Sequence, residues 1–285
     1  MIPIPEAVID ALIAEDVSYG DLTTRALGLA GRPGRITFTA RDPMVACATE
    51  EAARILARLG AAPRLAVASG GWAAPGTTLL EASGDAAALH AGWKVAQTLL
   101  EWAAGIASAV HGIVAAARAV VPGITVACTR KSVPLSRALS VKAVLAGGGT
   151  MHRAGLGDTL LVFPEHRAFL AGENLAETLA RLRAAAPERA VVVEVATEAD
   201  AMAAAAAGAD VVQLEKFTPE EVAAVRAAVT GAALTSGVPP AKLAAAGGVN
   251  ATNAAAYAAA GADILVTSAP YTARPRDVQV RITAT

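Results

Sequence analysis

The chain has 285 residues, of which 54% are hydrophobic, 4% aromatic and 17% charged, and its formal net charge is -1. This near-neutral balance, without a run of like charge, argues against a nucleic-acid surface, which normally carries a basic stripe. Cys47 and Cys128 are too few for a disulfide framework and are predicted to be small buried side chains. No apolar run has the length of about 18 residues that a membrane span needs, and the amino terminus lacks signal-peptide features. We therefore expect a cytoplasmic protein that binds a small molecule.

The first part of the chain is predicted to form a small α+β domain. Apolar residues at helical spacing predict a helix over residues 5–15, and the next segment, EDVSYGDLTT, is predicted to be a polar loop with a turn at Gly20 and Asp21. From Gly34, alternating apolar residues predict a strand. A helix over residues 49–59 and short antiparallel strands with glycine and proline turns are predicted to follow.

A long helical segment comes next. A helix capped by Asp85 is predicted to continue to about residue 107, and a second helix is predicted over residues 108–120. Three polar side chains interrupt the apolar stripe of the first helix: Lys94, Thr98 and Glu101. They lie along one strip of the helix, and their spacing alone favours a solvated face over a binding site.

Beyond residue 125 the chain alternates between short apolar runs and alanine-rich helical segments. The six predicted strands are TVACT, TLLVF, VVVEV, DVVQLE, AALTSG and DILVTS. Strands separated by helices imply right-handed crossovers and a parallel sheet, open or closed, and we favour a barrel-like closure. We predict an α+β domain over residues 1–110 and an α/β barrel over residues 111–285, and allow for a carboxyl-terminal segment that returns to the first domain.

Chemistry in such folds collects at the carboxyl ends of the strands. The residues predicted at these ends are Arg130, Lys131, Phe163, Glu194, Glu215, Ser236 and Ser268. Glu194 is informative because a carboxylate inside the apolar run VVVEVA is costly to bury without a partner or a metal. A structural ion pair is the alternative to a functional role for this residue.

Four basic residues are expected to converge at the same edge of the sheet. Arg130 and Lys131 follow a strand, and His152 and Arg153 follow a glycine run. If both segments point to one end of a parallel sheet, their side chains form a cluster that suits a multiply anionic ligand.

An acidic pair and a glycine pair complete the predicted pocket. Glu194 and Glu215 end successive strands, and Mg²⁺ is commonly held by one or two carboxylates together with substrate phosphates. Gly247 and Gly248 precede a helix predicted to begin near Asn250, where bare backbone N–H groups would bind a phosphoryl group. The strand end at Ser268 and Ala269 would complete this phosphate site.

These motifs resemble the quinolinate phosphoribosyltransferases, the carboxylating nicotinate-nucleotide pyrophosphorylases, and most closely their ModD relatives, which are associated with molybdate transport. The similarity covers nearly the full length. The motifs that carry it are EDVSYGDLTT, GWKVAQTLLEWAAGIAS, TRKSVP, GGGTMHRAGLGD, LEKF, AAGGVN and GADILVTSAP. The resemblance implies an amino-terminal α/β sandwich, an open α/β barrel, and a homodimer in which one subunit's first domain covers the barrel of its partner.

The resemblance also implies roles for individual residues. Residues expected to bind the acceptor and phosphoribosyl pyrophosphate are Lys94, acting across the dimer, Arg130, Lys131, Lys142, His152, Arg153 and Phe163. Lys131, Glu194 and Glu215 are expected to act in catalysis, with the two glutamates holding Mg²⁺ and the ribose hydroxyls. Residues expected to contact the 5-phosphate are Gly247, Gly248, Ser268 and Ala269. Pyrophosphate would be displaced from C1 of the donor by a ring nitrogen, through a transition state that resembles an oxocarbenium ion.

Several positions depart from the family's pattern. Phe163 stands where the quinolinate enzymes have a lysine, and Lys94 replaces an arginine that can bind a carboxylate with two parallel hydrogen bonds. The expected lysine at Val141 is absent, with Lys142 one position later. The remaining departures are Glu215 for aspartate and Leu135 for glycine. A pocket with fewer fixed cations and a new aromatic face suggests an acceptor with less negative charge than quinolinate.

Two other classes of function stay open from the sequence. An aldolase could use Lys131 or Lys142 to form a Schiff base, which borohydride trapping would reveal. A non-catalytic module could bind an oxyanion such as molybdate. The pair Glu194 and Glu215 argues against this module, because carboxylates repel an oxyanion unless a metal intervenes.

Overall fold

The computed structural model describes residues 2–285. Its helices are α1 (Glu6–Val17), α2 (Leu22–Ala26), α3 (Thr49–Arg58), α4 (Ala86–Arg118), α5 (Arg137–Ala146), α6 (Pro164–Arg167), α7 (Leu175–Ala185), α8 (Glu198–Ala206), α9 (Pro219–Ser236) and α10 (Ala254–Ala259), with a 3₁₀ turn over Ala269–Thr272. Its strands are β1 (Pro33–Ala40), β2 (Met44–Val45), β3 (Ala62–Leu65), β4 (Trp72–Ala73), β5 (Thr78–Asp85), β6 (Thr125–Cys128), β7 (Thr150–Met151), β8 (Leu160–Val162), β9 (Val191–Val195), β10 (Val211–Glu215), β11 (Lys242–Ala246), β12 (Ile264–Thr267) and β13 (Val278–Ala284).

The chain packs as two compact units. The first contains the described residues up to His111 together with Ser132–Gly148 and Pro270–Thr285, and the second contains Gly112–Lys131 and Gly149–Ala269. The domain boundary near residue 110 stays a prediction.

The first unit is built on a four-stranded antiparallel sheet in the order β13-β1-β5-β3. The alternation expected from Gly34 is confirmed, because Ile36, Phe38 and Ala40 of β1 are buried while the residues between them are not. Leu56 of α3 and Leu89 of α4 belong to the same apolar cluster. The period-two pattern of β1 therefore supplies one wall of the core of this unit.

Two predictions in the first part of the chain were wrong. The segment EDVSYGDLTT is not all loop: α1 continues to Val17, and α2 begins at Leu22. Asp21 caps α2 by accepting a hydrogen bond from the backbone N–H of Thr24 at 3.1 Å, and the Thr24 hydroxyl bond lowers the pKa of Asp21. Helix α4 is one continuous helix rather than two. Ser108, predicted to begin a second helix, lies inside α4, and its hydroxyl accepts a hydrogen bond from the N–H of Val45 at 3.0 Å.

Helix α4 is long and apolar enough, by length and composition, to cross a membrane. Of its most apolar window, 56% is buried inside the protein. A core helix of a soluble protein passes the same test, so this helix is weak evidence for a membrane span.

The second unit is a seven-stranded half-barrel whose neighbouring strands are all parallel, in the order β7-β6-β12-β11-β10-β9-β8. The predicted open α/β barrel is confirmed, and most of the predicted strands lie where they were expected. The strand AALTSG was wrong: it is the end of α9, which stops at Gly237 with a φ of 72°. The strand of this region is β11. Its sequence KLAAA does not predict a strand, because alanine favours helices.

Candidate active site

A cavity of about 310 Å³ lies in the second unit and includes the carboxyl ends of the strands in its wall. Small residues form part of its wall, where Ala246 at the end of β11 is followed by Gly247 and Gly248. A strand of larger side chains would fill this space. The alanine-rich sequence therefore makes room for a ligand at the point where the polar strand ends meet.

The four predicted basic residues do meet there: Arg130, Lys131, His152 and Arg153 all line the cavity. Burial, and then the charge of Arg130, lowers the pKa of Arg153, and burial together with the charge of Arg153 lowers the pKa of His152. His152 is therefore neutral at pH 7 and acts there as a hydrogen-bonding imidazole rather than as a fourth cation.

The two predicted carboxylates also line the cavity, but they are staggered along the sheet. Glu194 is in register with Gln213, and Glu215 lies two residues beyond Gln213 on the same face of β10. Glu194 is thus about 6.6 Å deeper along the strand direction than Glu215, rather than beside it. Burial, and then the charge of Glu215, raises the pKa of Glu194.

Gln213 is a cavity residue that the sequence analysis did not select. Its side chain is buried, and its Nε2 donates a hydrogen bond to Oε2 of Glu194 at 2.6 Å. The signal was present in DVVQLE, where an amide stands in a buried apolar strand at the residue two before Glu215. An amide inside an apolar strand carries no charge and does not end the strand, so the rules that select charged strand ends do not identify it.

The glycine pair forms a tight turn on the cavity wall. Gly247 and Gly248 have φ values of 85° and 109°, a region that favours glycine. A Cβ on Gly247 would lie 2.9 Å from Oε1 of Glu215 and 2.7 Å from the backbone N of Lys216. Only a residue without a side chain fits so close to this carboxylate.

The predicted helix near Asn250 was wrong, because α10 begins at Ala254 and has only 6 residues. Asn250 and Asn253 each donate a side-chain hydrogen bond to the carbonyl of Gly248, at 3.0 and 3.1 Å. The turn is therefore held by two amides. Ser268 lines the cavity, whereas Ala269 begins the 3₁₀ turn beyond it.

Phe163 lines the cavity, and two side chains lie against its ring. The guanidinium of Arg153 lies 5.6 Å from the ring centroid, and the imidazole of His166 stacks at 5.7 Å. Nδ1 of His166 accepts a hydrogen bond from the backbone N–H of Phe163 at 3.0 Å. Where the family pattern has a lysine, this chain has an aromatic ring that supports an arginine.

Lys94 and Lys142 belong to the first unit and do not line this cavity. Lys94 lies in a separate cavity of about 570 Å³, and its ammonium is 3.0 Å from Oε1 of Gln97 and 4.6 Å from the ring centroid of Trp93. Glu101, from the same strip, accepts hydrogen bonds from Gln97 and from the N–H of Val278. This part of the strip therefore ties β13 to α4.

Lys142 is buried, with an exposed fraction of 3%, and forms ion pairs with Oε2 of Glu50 at 2.9 Å and Oε2 of Glu51 at 2.5 Å. Burial opposes its charge, but the hydrogen bonds to Glu51 and Glu50 outweigh burial and raise the pKa of Lys142. The ammonium stays protonated and is already paired. Lys142 does not line the cavity, and its role in substrate binding stays a prediction.

Comparison with known protein families gives this site its context. The model of the quinolinate phosphoribosyl transferase C-terminal domain matches residues 106–281, and the model of the N-terminal domain matches residues 21–104. Together with the half-barrel, these matches define a phosphoribosyltransferase. The chain belongs to the quinolinate phosphoribosyl transferase family.

Sequence relatives agree with this assignment, and solved structures share the fold. A protein of Rhodobacter capsulatus named "Putative pyrophosphorylase ModD" is 55% identical over 90% of this chain and 96% of that protein. A protein of the same name from Escherichia coli O157:H7 is 40% identical over 99% of this chain and 98% of that protein. The nicotinate-nucleotide pyrophosphorylase of Francisella tularensis has the same fold, with a TM-score of 0.88 at 20% identity over 99% of this chain and 98% of that one. NadC from Streptococcus pyogenes also reaches 0.88, at 23% identity over the whole of both chains.

Proposed function

We propose that this chain transfers the phosphoribosyl group of phosphoribosyl pyrophosphate to a ring nitrogen of an anionic heterocycle and releases pyrophosphate. One observation carries the proposal: Arg130, Lys131 and Arg153 share a single cavity with the carboxylates Glu194 and Glu215. Cations suit the phosphates of the donor, and carboxylates suit its ribose hydroxyls. The names of the relatives, which are pyrophosphorylases, point to the same chemistry.

The reaction needs charge neutralisation and positioning more than acid-base catalysis. As the bond from C1 to the pyrophosphate oxygen breaks, Lys131 and the two arginines stabilise the negative charge on the leaving group. The carboxylates of Glu194 and Glu215 stabilise the positive charge that develops on the ribose. The nitrogen of the acceptor then bonds to C1. With a quinolinate acceptor, the positive charge on that nitrogen would favour loss of carbon dioxide without a protein cofactor, and the ring carbon would take up a proton from water.

The residues present fit a magnesium ion. The charge of Glu215 contributes to the raised pKa of Glu194, and a cation bound between these carboxylates would relieve that repulsion. Among residues 2–285, no group of three or more His, Cys, Asp or Glu side chains is arranged to hold a metal. Glu194 and Glu215 would therefore hold Mg²⁺ together with oxygens of the donor, and the ion would neutralise pyrophosphate.

The acceptor we propose is quinolinate or a less charged relative. Phe163 stands in the cavity wall where the family pattern has a lysine, so the wall has one cation fewer. The guanidinium of Arg153 lies over the Phe163 ring. One arginine with an aromatic support suits a planar ring with a single carboxylate better than a ring with two. We also propose that the active form is a homodimer, in which Lys94 serves the cavity of the partner.

The structure bears on one rival, the aldolase that would use Lys131 or Lys142. A Schiff-base lysine must lose its proton to attack a carbonyl, and the raised pKa of the buried Lys142 opposes this. The aldolase hypothesis would therefore depend on Lys131.

A turnover assay tests the proposal. Purified protein with Mg²⁺ and phosphoribosyl pyrophosphate should release pyrophosphate when a nitrogen heterocycle with one or two carboxylates is added. Arg153→Met should abolish the release, whereas Arg189→Met, which changes an exposed arginine paired with Asp158, should not. Molybdate binding that needs no magnesium and is undisturbed by phosphoribosyl pyrophosphate, with no turnover on any heterocycle, would contradict the proposal and indicate the anion-binding module.

A further inference from the structure

Gln213 occupies the deep layer of the cavity, below the ends of the strands. It lies in register with Glu194 on one neighbouring strand and with Ala244 on the other, and its side chain is 5% exposed. Gln213 and Glu194 both line the cavity, whereas Ala244 does not. An amide is an unusual occupant of such a position, because the layer beneath it contains Leu161, Val192 and Val211.

The two ends of the Gln213 amide differ in their hydrogen bonding. Nε2 donates to Oε2 of Glu194 at 2.6 Å, a short hydrogen bond to a carboxylate. Oε1 is buried and, within the described residues 2–285, has no hydrogen-bond partner. The orientation follows from the charge of Glu194, since an ionised carboxylate needs the N–H end of the amide.

Fold stability does not explain this arrangement. A buried carbonyl without a partner destabilises the folded state, and a methionine of similar length would fill the same space without that penalty. Ala244, on the other side of Gln213, offers only a methyl group. The N–H of Gln213 therefore matters for what it does to Glu194.

A glutamate has three rotatable side-chain bonds, so Glu194 beside an open cavity needs a fixed partner to keep one orientation. The hydrogen bond to Oε2 restricts the carboxylate and leaves Oε1 free of Gln213. We propose that Gln213 is a positioning residue, which holds the carboxylate of Glu194 in the orientation that receives the ribose of the donor. This inference rests on the proposed function. Gln213 acts through Glu194, to which it donates its side-chain hydrogen bond.

A double-mutant cycle tests this role. Gln213→Met removes the donor without changing the size of the side chain, and Glu194→Gln removes the group on which it acts. In the wild-type background, Gln213→Met should lower kcat/KM for phosphoribosyl pyrophosphate about tenfold to a hundredfold and leave the KM of the acceptor within about twofold. In the Glu194→Gln background it should have little further effect, because the two residues work as one unit.

The matched control is Thr49→Val in the first unit. Within the described residues, the hydroxyl of Thr49 is the other buried side-chain oxygen without a hydrogen-bond partner, and its removal should leave the kinetics unchanged. The unfolding temperature of Gln213→Met should not fall below that of the wild type. Additive losses in the cycle, or equal losses for donor and acceptor, would overturn the proposal.

A crystal structure of the Gln213→Met variant separates this inference from the function itself. If the wild type shows no turnover, the transferase proposal fails, yet the structure still decides the role of Gln213. A displaced or disordered Glu194 carboxylate would support positioning. A carboxylate unchanged from the wild type would overturn it.

Discussion

At the scale of single residues, departures from the family's pattern have physical consequences that can be measured. Leu135 stands where the family has a glycine, and its φ is 66°, the left-handed region that disfavours a branched side chain. Its side chain is fully exposed, so no packing compensates for this strain. The family's glycine is therefore explained by the backbone, and the leucine of this chain is strained.

Replacing Leu135 with glycine should stabilise the protein. The strain of about 1–2 kcal/mol disappears, while the greater freedom of glycine in the unfolded chain takes back about half of it, which leaves a gain of about 0.5–1 kcal/mol. Chemical denaturation checks the value. Leu234→Gly, at an exposed position inside α9, is the control and should lose about 1 kcal/mol. A loss of stability in Leu135→Gly would show that the leucine makes a contact that offsets its strain.

Phe163 is the residue on which the choice of acceptor is expected to depend. Phe163→Lys restores a cation to the cavity wall and removes the ring on which Arg153 rests. Quinolinate affinity should rise about tenfold, because a second carboxylate gains a charged partner. Calorimetric titration of both proteins with quinolinate measures this, and Phe169→Lys, at an exposed site of the same unit, is the control. Equal affinity in wild type and Phe163→Lys would contradict the proposed acceptor preference.

At the scale of elements, α3 and α5 are joined by buried charges. Lys142 of α5 lies between Glu50 and Glu51 of α3, and the side chains of Lys142 and Glu51 are 4% and 2% exposed. Burial disfavours the charge of Glu50, but hydrogen bonds from Ser69 and Lys142 lower the pKa of Glu50 to about 2. Glu50 and Lys142 therefore stay ionised across the physiological range, and the ion pairs of Lys142 hold α3 to α5 within the first unit.

Lys142→Met should destabilise the protein by about 3–5 kcal/mol, because it leaves the buried carboxylate of Glu51 with only the more distant guanidinium of Arg54, at 3.7 Å, in place of the ammonium at 2.5 Å. Adding Glu51→Leu should recover much of this loss, since an apolar pair needs no compensation. Thermal and denaturant unfolding of the single and double variants measure both steps. A single variant as stable as the wild type, but with reduced donor affinity, would return Lys142 to the substrate site.

At the scale of the whole molecule, the sequence predicted the half-barrel and most of its cavity because the strand ends carry chemistry that elementary rules recognise. Arg130 and Glu194 stand out where apolar strands end, so parallel topology was enough to bring them together. The prediction was wrong where alanine dominates, because a run such as KLAAA fits a helix and a strand equally well. Gln213 was missed because its role depends on register with Glu194, which periodicity does not reveal.

The partners of Lys142 and the stagger of the two carboxylates could not be predicted from the sequence for the same reason. Lys142 was assigned to the substrate by resemblance to the family, one position after the expected lysine, whereas its partners Glu50 and Glu51 are about 90 residues away in the chain. Long-range pairing of this kind depends on packing that local patterns do not encode.

The most direct test of the central claim is a calorimetric titration of the purified protein with phosphoribosyl pyrophosphate in the presence of Mg²⁺. Saturable binding is expected in the wild type, with strongly reduced binding in Arg153→Met and in Glu215→Gln, since both residues line the cavity. Absence of saturable binding to the wild type, with the protein folded and Mg²⁺ present, would contradict the assignment of this cavity to a phosphoribosyl donor.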